Sequence, residues 1–174
     1  LEAACREAAQ GEVVEPVNFN APGQTVIAGN ATAVARAIEA ARARGAKRTV
    51  LLPVSGPWHC SLMRGAAERL AEKLATVEVR LPNVADVYTV DVRKHASPDG
   101  IRQSLREQLF KPVRWADTVR AMLAGGATTF VECGPGKVLT SLNRRIERRP
   151  DLRMLALEDP ASIAAALAAC GENA

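Results

Sequence analysis

The sequence predicts an α/β fold, in which helices cover a sheet. Segments with helical periodicity alternate with short apolar runs that are typical of strands. One of these runs, TVLLPV at 49–54, is continuously apolar, as strands buried on both faces are. Hydrophobic residues make up 48% of the 174 residues and charged residues 24%, which is typical of a globular protein with a real core.

The N-terminal third of the chain predicts a small α+β unit. Gly11 and Gly45 end its two helices, and the APG turn at 21–23 makes an antiparallel pair of its first two strands. The expected elements are a helix at 1–10, strands at 13–19 and 25–29, a helix at 31–44 and the strand at 49–54. This order is typical of a split βαβ unit. The chain opens within a helix and without Met, so we expect it to be part of a longer protein.

The residues after Pro53 predict helices that alternate with extended segments. Residues 60–74 carry an apolar stripe at helical spacing, and Ser97-Pro98-Asp99 is a typical helix start. The other expected elements are an extended segment at 84–92, a helix from Trp115 to Gly125-Gly126, a strand at 128–133, a turn and helix at 134–146, and a last helix from Asp159.

Composition excludes several classes of function. The net charge is only +4, from 23 basic and 19 acidic residues that mostly alternate, and aromatic residues are 3% of the chain. Both observations argue against a nucleic-acid surface. The four cysteines form no CxxC pair and no zinc-ligand spacing, so no metal site is expected. Without a secretory signal or a membrane span, reduced thiols in a cytoplasmic protein are the simplest account.

The two histidines differ in their surroundings. His59 lies in LLPVSGPWHCSLM, between the expected buried strand and a helix start, where α/β folds place reactive groups. A neutral imidazole there can act as a base near physiological pH. The same context also fits a histidine that caps the following helix or is satisfied in the core. His95 lies in a polar stretch and is expected to face solvent.

No nucleophile accompanies His59 in this sequence. None of the six serines has glycine at both −2 and +2, so the G-x-S-x-G elbow is absent. The cysteines show no electropositive pairing and are expected to be buried structural thiols. GPGKVLT at 134–140 lacks P-loop spacing, which favours an ordinary strand-to-helix turn over a phosphate cradle.

Four segments, in this order, carry a family resemblance. They are VNFNAPGQTVIAG (17–29), LPVSGPWHCSLM (52–63), EQLFKPVRW (107–115) and VECGPGKVLTSL (131–142). Together they closely resemble the bacterial malonyl-CoA:acyl carrier protein transacylases of fatty-acid synthesis, and less closely the acyltransferase domains of polyketide synthases. The resemblance covers essentially the whole chain.

The resemblance implies the C-terminal part of an α/β-hydrolase-like acyltransferase fold with an inserted ferredoxin-like small subdomain. Residues 1–52 would form most of the small subdomain, and residues 53–174 the C-terminal part of the large one. The family's nucleophilic serine, its malonyl-binding arginine and its oxyanion-hole donors would lie in a segment that is not in this chain. We therefore expect the isolated chain to be inactive, and marginally stable or self-associating.

The implied reaction moves a malonyl group from malonyl-CoA, through a serine ester, to the phosphopantetheine thiol of acyl carrier protein. His59 matches the family's general base. Gln108 matches the residue whose main-chain carbonyl orients the imidazole, so its side chain matters little. The resemblance implies no cofactor, no nucleic acid and no membrane.

Other positions match the borders of the family's substrate cleft. Asn20 and Gln24 match polar positions assigned to substrate binding or site support, and a turn stapled by side-chain hydrogen bonds is the alternative. Trp58 is bulky at the position where related acyltransferases contact the α-substituent of the acyl group. It should therefore exclude the extra methyl group and favour malonyl over methylmalonyl. Basic side chains could face the acidic carrier protein, although a solvated helix end fits them equally; these are Lys137, Arg144 and Arg145.

The sequence departs from the family pattern at Tyr88-Thr89, where asparagine is usual after a Val-rich strand. Two alternative functions also stay open. One is a discrete acyltransferase that serves a polyketide synthase, and the other is a non-catalytic ferredoxin-like binding module.

Overall fold

A computed structural model describes residues 1–84 and 90–171. In chain order, its elements are α1 (Glu2–Ala9), β1 (Val14–Ala21), β2 (Gln24–Gly29), α2 (Ala31–Ala43), α3 (Arg64–Ala75), α4 (Pro98–Glu107), α5 (Trp115–Ala124), β3 (Thr129–Glu132), α6 (Val138–Ile146), β4 (Arg153–Ala156) and α7 (Pro160–Gly171). A short 3₁₀ turn, Ser61–Met63, precedes α3. The chain separates into two compact units, residues 1–19 with 24–114 and residues 20–23 with 115–174.

In the first unit, α1 and α2 pack against each other through small side chains. Ala33 and Ala37 of α2 are completely buried, and Cys5 and Ala8 of α1 lie in the same cluster with Val14 of β1. Short side chains allow two helices to approach closely, which the Ala-rich sequence of both segments favours. Both helices were predicted, and their bounds agree with the prediction to within a few residues.

Arg36 of α2 caps the C-terminus of α1. Its Nε donates to the carbonyl of Ala8 at 2.8 Å, and its Nη2 donates to the carbonyl of Ala9 at 3.0 Å. Nη2 also lies 2.7 Å from the Glu12 carboxylate. The last carbonyls of a helix have no partner within the helix, so this guanidinium satisfies groups that α1 cannot satisfy itself.

β1 and β2 form the predicted hairpin. They are neighbours in a two-stranded sheet, and the two residues Pro22 and Gly23 connect them, which makes the strands antiparallel. The end of β2 lies close to Val13: a Cβ on Gly29 would be 2.0 Å from the Val13 carbonyl oxygen. Only glycine fits there, and the Asn30 side chain then accepts a hydrogen bond from the Val13 amide at 2.9 Å.

α4 begins where the sequence predicts. Ser97 Oγ accepts a hydrogen bond from the Gly100 amide at 3.1 Å, and Pro98 is the first helical residue. Arg102 of α4 ties this helix to α3, because it donates to the carbonyls of Leu74 at 3.1 Å and Val77 at 3.0 Å.

The strand predicted at 49–54 is wrong for this chain. These residues have no regular secondary structure, and Val50, Leu51, Leu52 and Val54 are 58%, 76%, 45% and 60% exposed. A strand needs hydrogen-bonded neighbours, and within residues 1–84 and 90–171 the only sheets are β1–β2 and β3–β4. The split βαβ unit therefore lacks its last strand here.

The second unit contains a small parallel sheet with helices packed on it. β3 pairs with β4 in the register Thr129↔Arg153 to Glu132↔Ala156, and α6 and α7 both contact this sheet. α5 packs on α6, where Trp115 Nε1 donates to Asn143 Oδ1 at 2.9 Å. β3, α5, α6 and α7 were predicted, whereas β4 was not.

The extended segment predicted at 84–92 lies mostly outside the described residues, as do Tyr88 and Thr89. Residues 90–93 form a turn and a bend. Among the helices that the structure describes, none is long and apolar enough to cross a lipid bilayer.

Candidate active site

His59 is held against the C-terminal end of α4. Its Nδ1 lies 2.6 Å from the main-chain oxygen of Gln108, and its own amide donates to the carbonyl of Leu109 at 3.0 Å. The histidine is half-buried and has a φ of 66°, in the left-handed region that non-glycine residues enter at a cost of about 1–2 kcal/mol. The structure thus brings together the two residues that the sequence analysis assigned to catalysis.

The contact with Gln108 sets the tautomer of the imidazole. A carbonyl oxygen can only accept a hydrogen bond, so Nδ1 must carry the proton and donate it. In the neutral ring, Nε2 then holds the lone pair and can take a proton from a reacting group. The arrangement gives a base whose orientation comes from a main-chain acceptor instead of a carboxylate.

Two sets of hydrogen bonds join the His59 region to β1. The first set is at Val113, four residues after Leu109. The Val113 amide donates to the carbonyl of Val17 at 2.8 Å, and the Val113 carbonyl accepts from the amide of Phe19 at 2.9 Å. On the other side of the histidine, the Glu15 carboxylate accepts from Ser61 N at 2.9 Å and from Ser61 Oγ at 2.7 Å. Sequence analysis missed Glu15; a carboxylate within the apolar run VVEPVNF was the available signal.

Cys60, next to the histidine, is fully buried and is not a candidate nucleophile. Burial, followed by the nearby Glu15 carboxylate, raises the pKa of its thiol, although the Leu62 amide opposes this. Cys5 is buried as well, and burial raises the pKa of its thiol. The expectation of buried structural thiols is confirmed for these two and wrong for Cys133 and Cys170, which are exposed. Cys133 directly follows the short strand β3. Cys170 lies on the Ala-rich helix α7, in which Ala166 is the buried residue.

Trp58 lies directly before the base and is 49% exposed. Its ring covers Gly56: a Cβ at that position would lie 3.0–3.2 Å from three ring carbons. The absence of a side chain at Gly56 therefore allows the ring to take this position. Asn20 and Gln24 lie on either side of the hairpin turn, Asn20 near the end of β1 and Gln24 at the start of β2.

The GPGKVLT turn does not offer a vacant anion site. Glu132, the last residue of β3, accepts hydrogen bonds from the amides of Leu139 at 3.0 Å and Thr140 at 2.7 Å. Its own carboxylate thus occupies the N-terminus of α6, where a phosphate would have to bind. Burial raises the pKa of this carboxyl, but the hydrogen bonds from the α6 amides outweigh burial and lower it overall. The structure supports the interpretation of an ordinary strand-to-helix turn.

His95 does not face solvent as predicted. Its side chain is only 9% exposed, and its Nε2 lies 3.4 Å from Asp91 Oδ1. The polar residues around His95 in sequence predicted an exposed side chain. The ring is largely buried instead because it packs against the first turn of α4, beside Gly100.

The three basic residues considered for a carrier-protein surface make contacts within the chain. Lys137 Nζ lies 3.1 Å from the Glu158 carboxylate. Arg144 donates to the carbonyl of Met154 at 3.1 Å, and Arg145 to that of Pro22 at 3.2 Å. All three stay exposed, so these contacts orient the side chains without covering them.

Comparison with known proteins gives consistent matches. The family model described as "Acyl transferase domain" matches residues 1–156. A malonyl CoA-acyl carrier protein transacylase of Escherichia coli is 51% identical over 164 residues, which are 94% of this chain and 52% of that protein. The chain thus spans about half the length of the curated relatives it matches.

Solved structures agree with these sequence matches. A malonyl-transacylase in complex with a type II PKS acyl-carrier protein matches with a TM-score of 0.93 and 46% identity, over 97% of this chain and 54% of that one. A malonyl-CoA:acyl carrier protein transacylase from Xanthomonas oryzae matches with a TM-score of 0.92 and 45% identity, over 97% and 53% of the two chains.

The resemblance inferred from the four sequence segments is therefore confirmed, and so is the α/β acyltransferase fold. Two of the segments that carry the resemblance contain His59 and Gln108, whose contact orients the imidazole. This chain belongs to the acyl transferase domain family.

Proposed function

We propose that this chain is the histidine-bearing half of an acyl carrier protein S-malonyltransferase. The whole protein would transfer a malonyl group from malonyl-CoA to the phosphopantetheine thiol of acyl carrier protein, in fatty-acid synthesis. The observation that carries the proposal is the 2.6 Å contact between His59 Nδ1 and Gln108 O, which prepares Nε2 as a base. The relatives that this chain matches over about half of their length are transacylases, and their names contain malonyl-CoA and acyl carrier protein.

His59 acts twice in the proposed reaction. Nε2 first takes the hydroxyl proton of a serine supplied by the other half, and the serine oxygen attacks the malonyl thioester carbon. The carbon–sulfur bond breaks, and the departing CoA thiolate receives that proton from the imidazolium. In the second half-reaction the phosphopantetheine thiol gives its proton to Nε2 and attacks the serine ester. The bond between the carbonyl carbon and the serine oxygen breaks, and the serine oxygen takes that proton from the imidazolium. The Gln108 carbonyl stabilises each imidazolium through Nδ1–H.

The other site assignments are also proposals. Asn20 and Gln24 bind substrate or support the cleft from the two ends of the hairpin turn. The exposed cations on Lys137, Arg144 and Arg145 attract the acidic carrier protein, since exposed charges of one sign favour encounter with the opposite sign.

The proposed subdomains and location follow the same family pattern. Residues 1–52 would be most of a ferredoxin-like small subdomain and residues 53–174 the end of the large subdomain. The α1–hairpin–α2 arrangement supports the former. We assign the protein to the cytoplasm, because its four cysteines are unpaired, as thiols in a reducing compartment are.

The test of this function is reconstitution. This chain is mixed with the half of the E. coli relative that it does not match, hereafter the complementary half. Transfer of labelled malonyl from malonyl-CoA to acyl carrier protein is then measured. The E. coli enzyme, split at the same point, shows whether two halves can assemble in the assay. Transfer by the split E. coli enzyme, but not by this chain with the same partner, would contradict the proposal.

A second candidate is an acyltransferase that serves a polyketide synthase, because one matched structure is bound to a type II PKS acyl-carrier protein. Comparing kcat/KM for carrier proteins of the two pathways in the reconstituted protein separates the candidates. A non-catalytic ferredoxin-like module would bind a carrier protein without any transfer.

Trp58 is expected to set the acyl selectivity of the reconstituted protein. Trp58→Ala should improve the use of methylmalonyl-CoA relative to malonyl-CoA about 5- to 150-fold, since one methyl group in a pocket is worth about 1–3 kcal/mol. Gly56→Ala should move the same ratio in the same direction by less, because its Cβ would push the ring by a few tenths of an ångström. The ratio of kcat/KM values for the two thioesters is the measurement. An unchanged ratio in Trp58→Ala contradicts the assignment.

A further inference from the structure

Glu15 makes an unusual connection from β1 to the residues that follow His59. Its two carboxylate oxygens accept separate hydrogen bonds from Ser61, one from the amide at 2.9 Å and one from Oγ at 2.7 Å. The contact is partly buried, and it joins residues 46 positions apart in sequence. Hydrogen bonds to an ionised acceptor are roughly twice as strong as neutral ones.

This connection supplies a cap that the local sequence lacks. Ser61 is the first residue of the 3₁₀ turn before α3, and the preceding residue, Cys60, makes no side-chain capping bond. The first amides of a helix need an acceptor, and Glu15 provides one from a different element. Cys60 is itself fully buried, so the residues immediately after His59 are held by packing at Cys60 and by the Glu15 carboxylate at Ser61.

The residues before His59 offer no comparable support. Residues 49–54 are without regular structure, and the Trp58 side chain is half exposed. The left-handed conformation of His59, at φ 66°, must therefore be maintained by the contacts to residues 108 and 109 and by the packing and hydrogen bonds that hold Cys60 and Ser61. A strained residue persists only where its surroundings over-determine it.

The geometry points to Glu15 as a positioning residue for His59: by holding Ser61 through both carboxylate oxygens, it keeps the imidazole on the Gln108 carbonyl. This inference rests on the proposed function of His59 as the base. Glu15 touches neither the imidazole nor a reacting atom, and it acts only through the backbone of 60–61. Losing it lets the loop relax and turns Nδ1 away from its acceptor.

The direct test uses nitrogen NMR of the histidine side chains. This chain has only two histidines, so ¹⁵N-histidine labelling of the chain, mixed with the unlabelled complementary half, gives two sets of ring signals. In the wild type, His59 should show a protonated Nδ1 and an unprotonated Nε2. In Glu15→Ala, both signals should move towards the average of the two tautomers, while those of His95 stay in place. Unchanged His59 signals would overturn the inference.

Kinetics supply the second readout. Glu15→Ala should lower kcat about tenfold, with KM changed by less than about twofold, because misorienting a catalytic group affects the chemical step. Ser61→Ala, which keeps the amide bond and loses the Oγ bond, should fall between Glu15→Ala and the wild type. A loss of kcat with no change in the His59 signals would also overturn the inference.

Two further arms separate the possible failures. If circular dichroism shows that Glu15→Ala is unfolded, Glu15→Gln replaces it. A smaller shift of the His59 ring signals in the same direction then supports the inference, and the absence of any shift overturns it. If the wild-type mixture transfers no malonyl although the split E. coli enzyme does, the proposed function fails, and the ring signals still decide whether Glu15 positions His59.

Discussion

Replacing His59 with alanine is expected to lower kcat/KM for malonyl transfer by the reconstituted protein about 10²–10⁴-fold. The imidazole is the group that the structure prepares as a base, with Nδ1 committed to the Gln108 carbonyl at 2.6 Å. Without it, the proposed mechanism loses the group that takes the proton from the serine hydroxyl and from the carrier thiol. The measurement is the rate of labelled malonyl transfer to acyl carrier protein, with the complementary half held in excess.

Gln108→Ala is the matched control for this substitution. The hydrogen bond to His59 comes from the main-chain oxygen, which the substitution retains, so its loss of activity should be far smaller. Equal losses from the two variants would show that the Gln108 side chain, and not its carbonyl, is what matters. A His59→Ala variant that retains most of the transfer rate would remove the base from the mechanism.

The isolated chain is expected to self-associate through residues 50–54. Four apolar side chains there are 45–76% exposed, so burying the exposed part of each is worth about 0.7–2.3 kcal/mol. Leu51→Lys combined with Val54→Lys should convert the associated chain to a monomer at micromolar concentration. Light scattering after size exclusion gives the mass directly.

Leu167→Lys is the matched control, because Leu167 is 69% exposed but lies on α7, away from this run in sequence. It should leave the association unchanged. The complementary half should also disperse the wild-type chain and protect the amides of 49–54 from hydrogen exchange, as expected when a strand acquires neighbours. A wild-type chain that is monomeric and melts sharply and reversibly would contradict the prediction.

Local signals predicted most of the fold. The cap at Ser97, the glycines after α1 and α2 and the turn between β1 and β2 all act through nearby residues, so the sequence was sufficient to predict them. Two strands were misjudged because strand formation depends on distant partners. The run at 49–54 has strand composition without neighbours, whereas β4 is a short segment that forms by parallel pairing with β3.

The candidate site shows the same division. His59 could be found from its motif, and Gln108 from a family resemblance, because each lies within a distinctive segment. Glu15 and the burial of His95 could not be found in that way. The carboxylate of Glu15 within an apolar run was a local signal, but it does not identify Ser61, 46 positions away, as the partner. The contacts of His95 with Asp91 and beside Gly100 are near in sequence, but they depend on how the chain folds before α4.

The hydrogen bonds between β1 and the two flanks of His59 have a consequence for motion. The proposed boundary at residues 52 and 53 is crossed by two bonds from Glu15 to Ser61 and by two main-chain bonds at Val113. A rigid-body motion of residues 1–52 that kept these four bonds would therefore carry Ser61 and Val113 with it, and with them the segments that hold His59 and its acceptor Gln108.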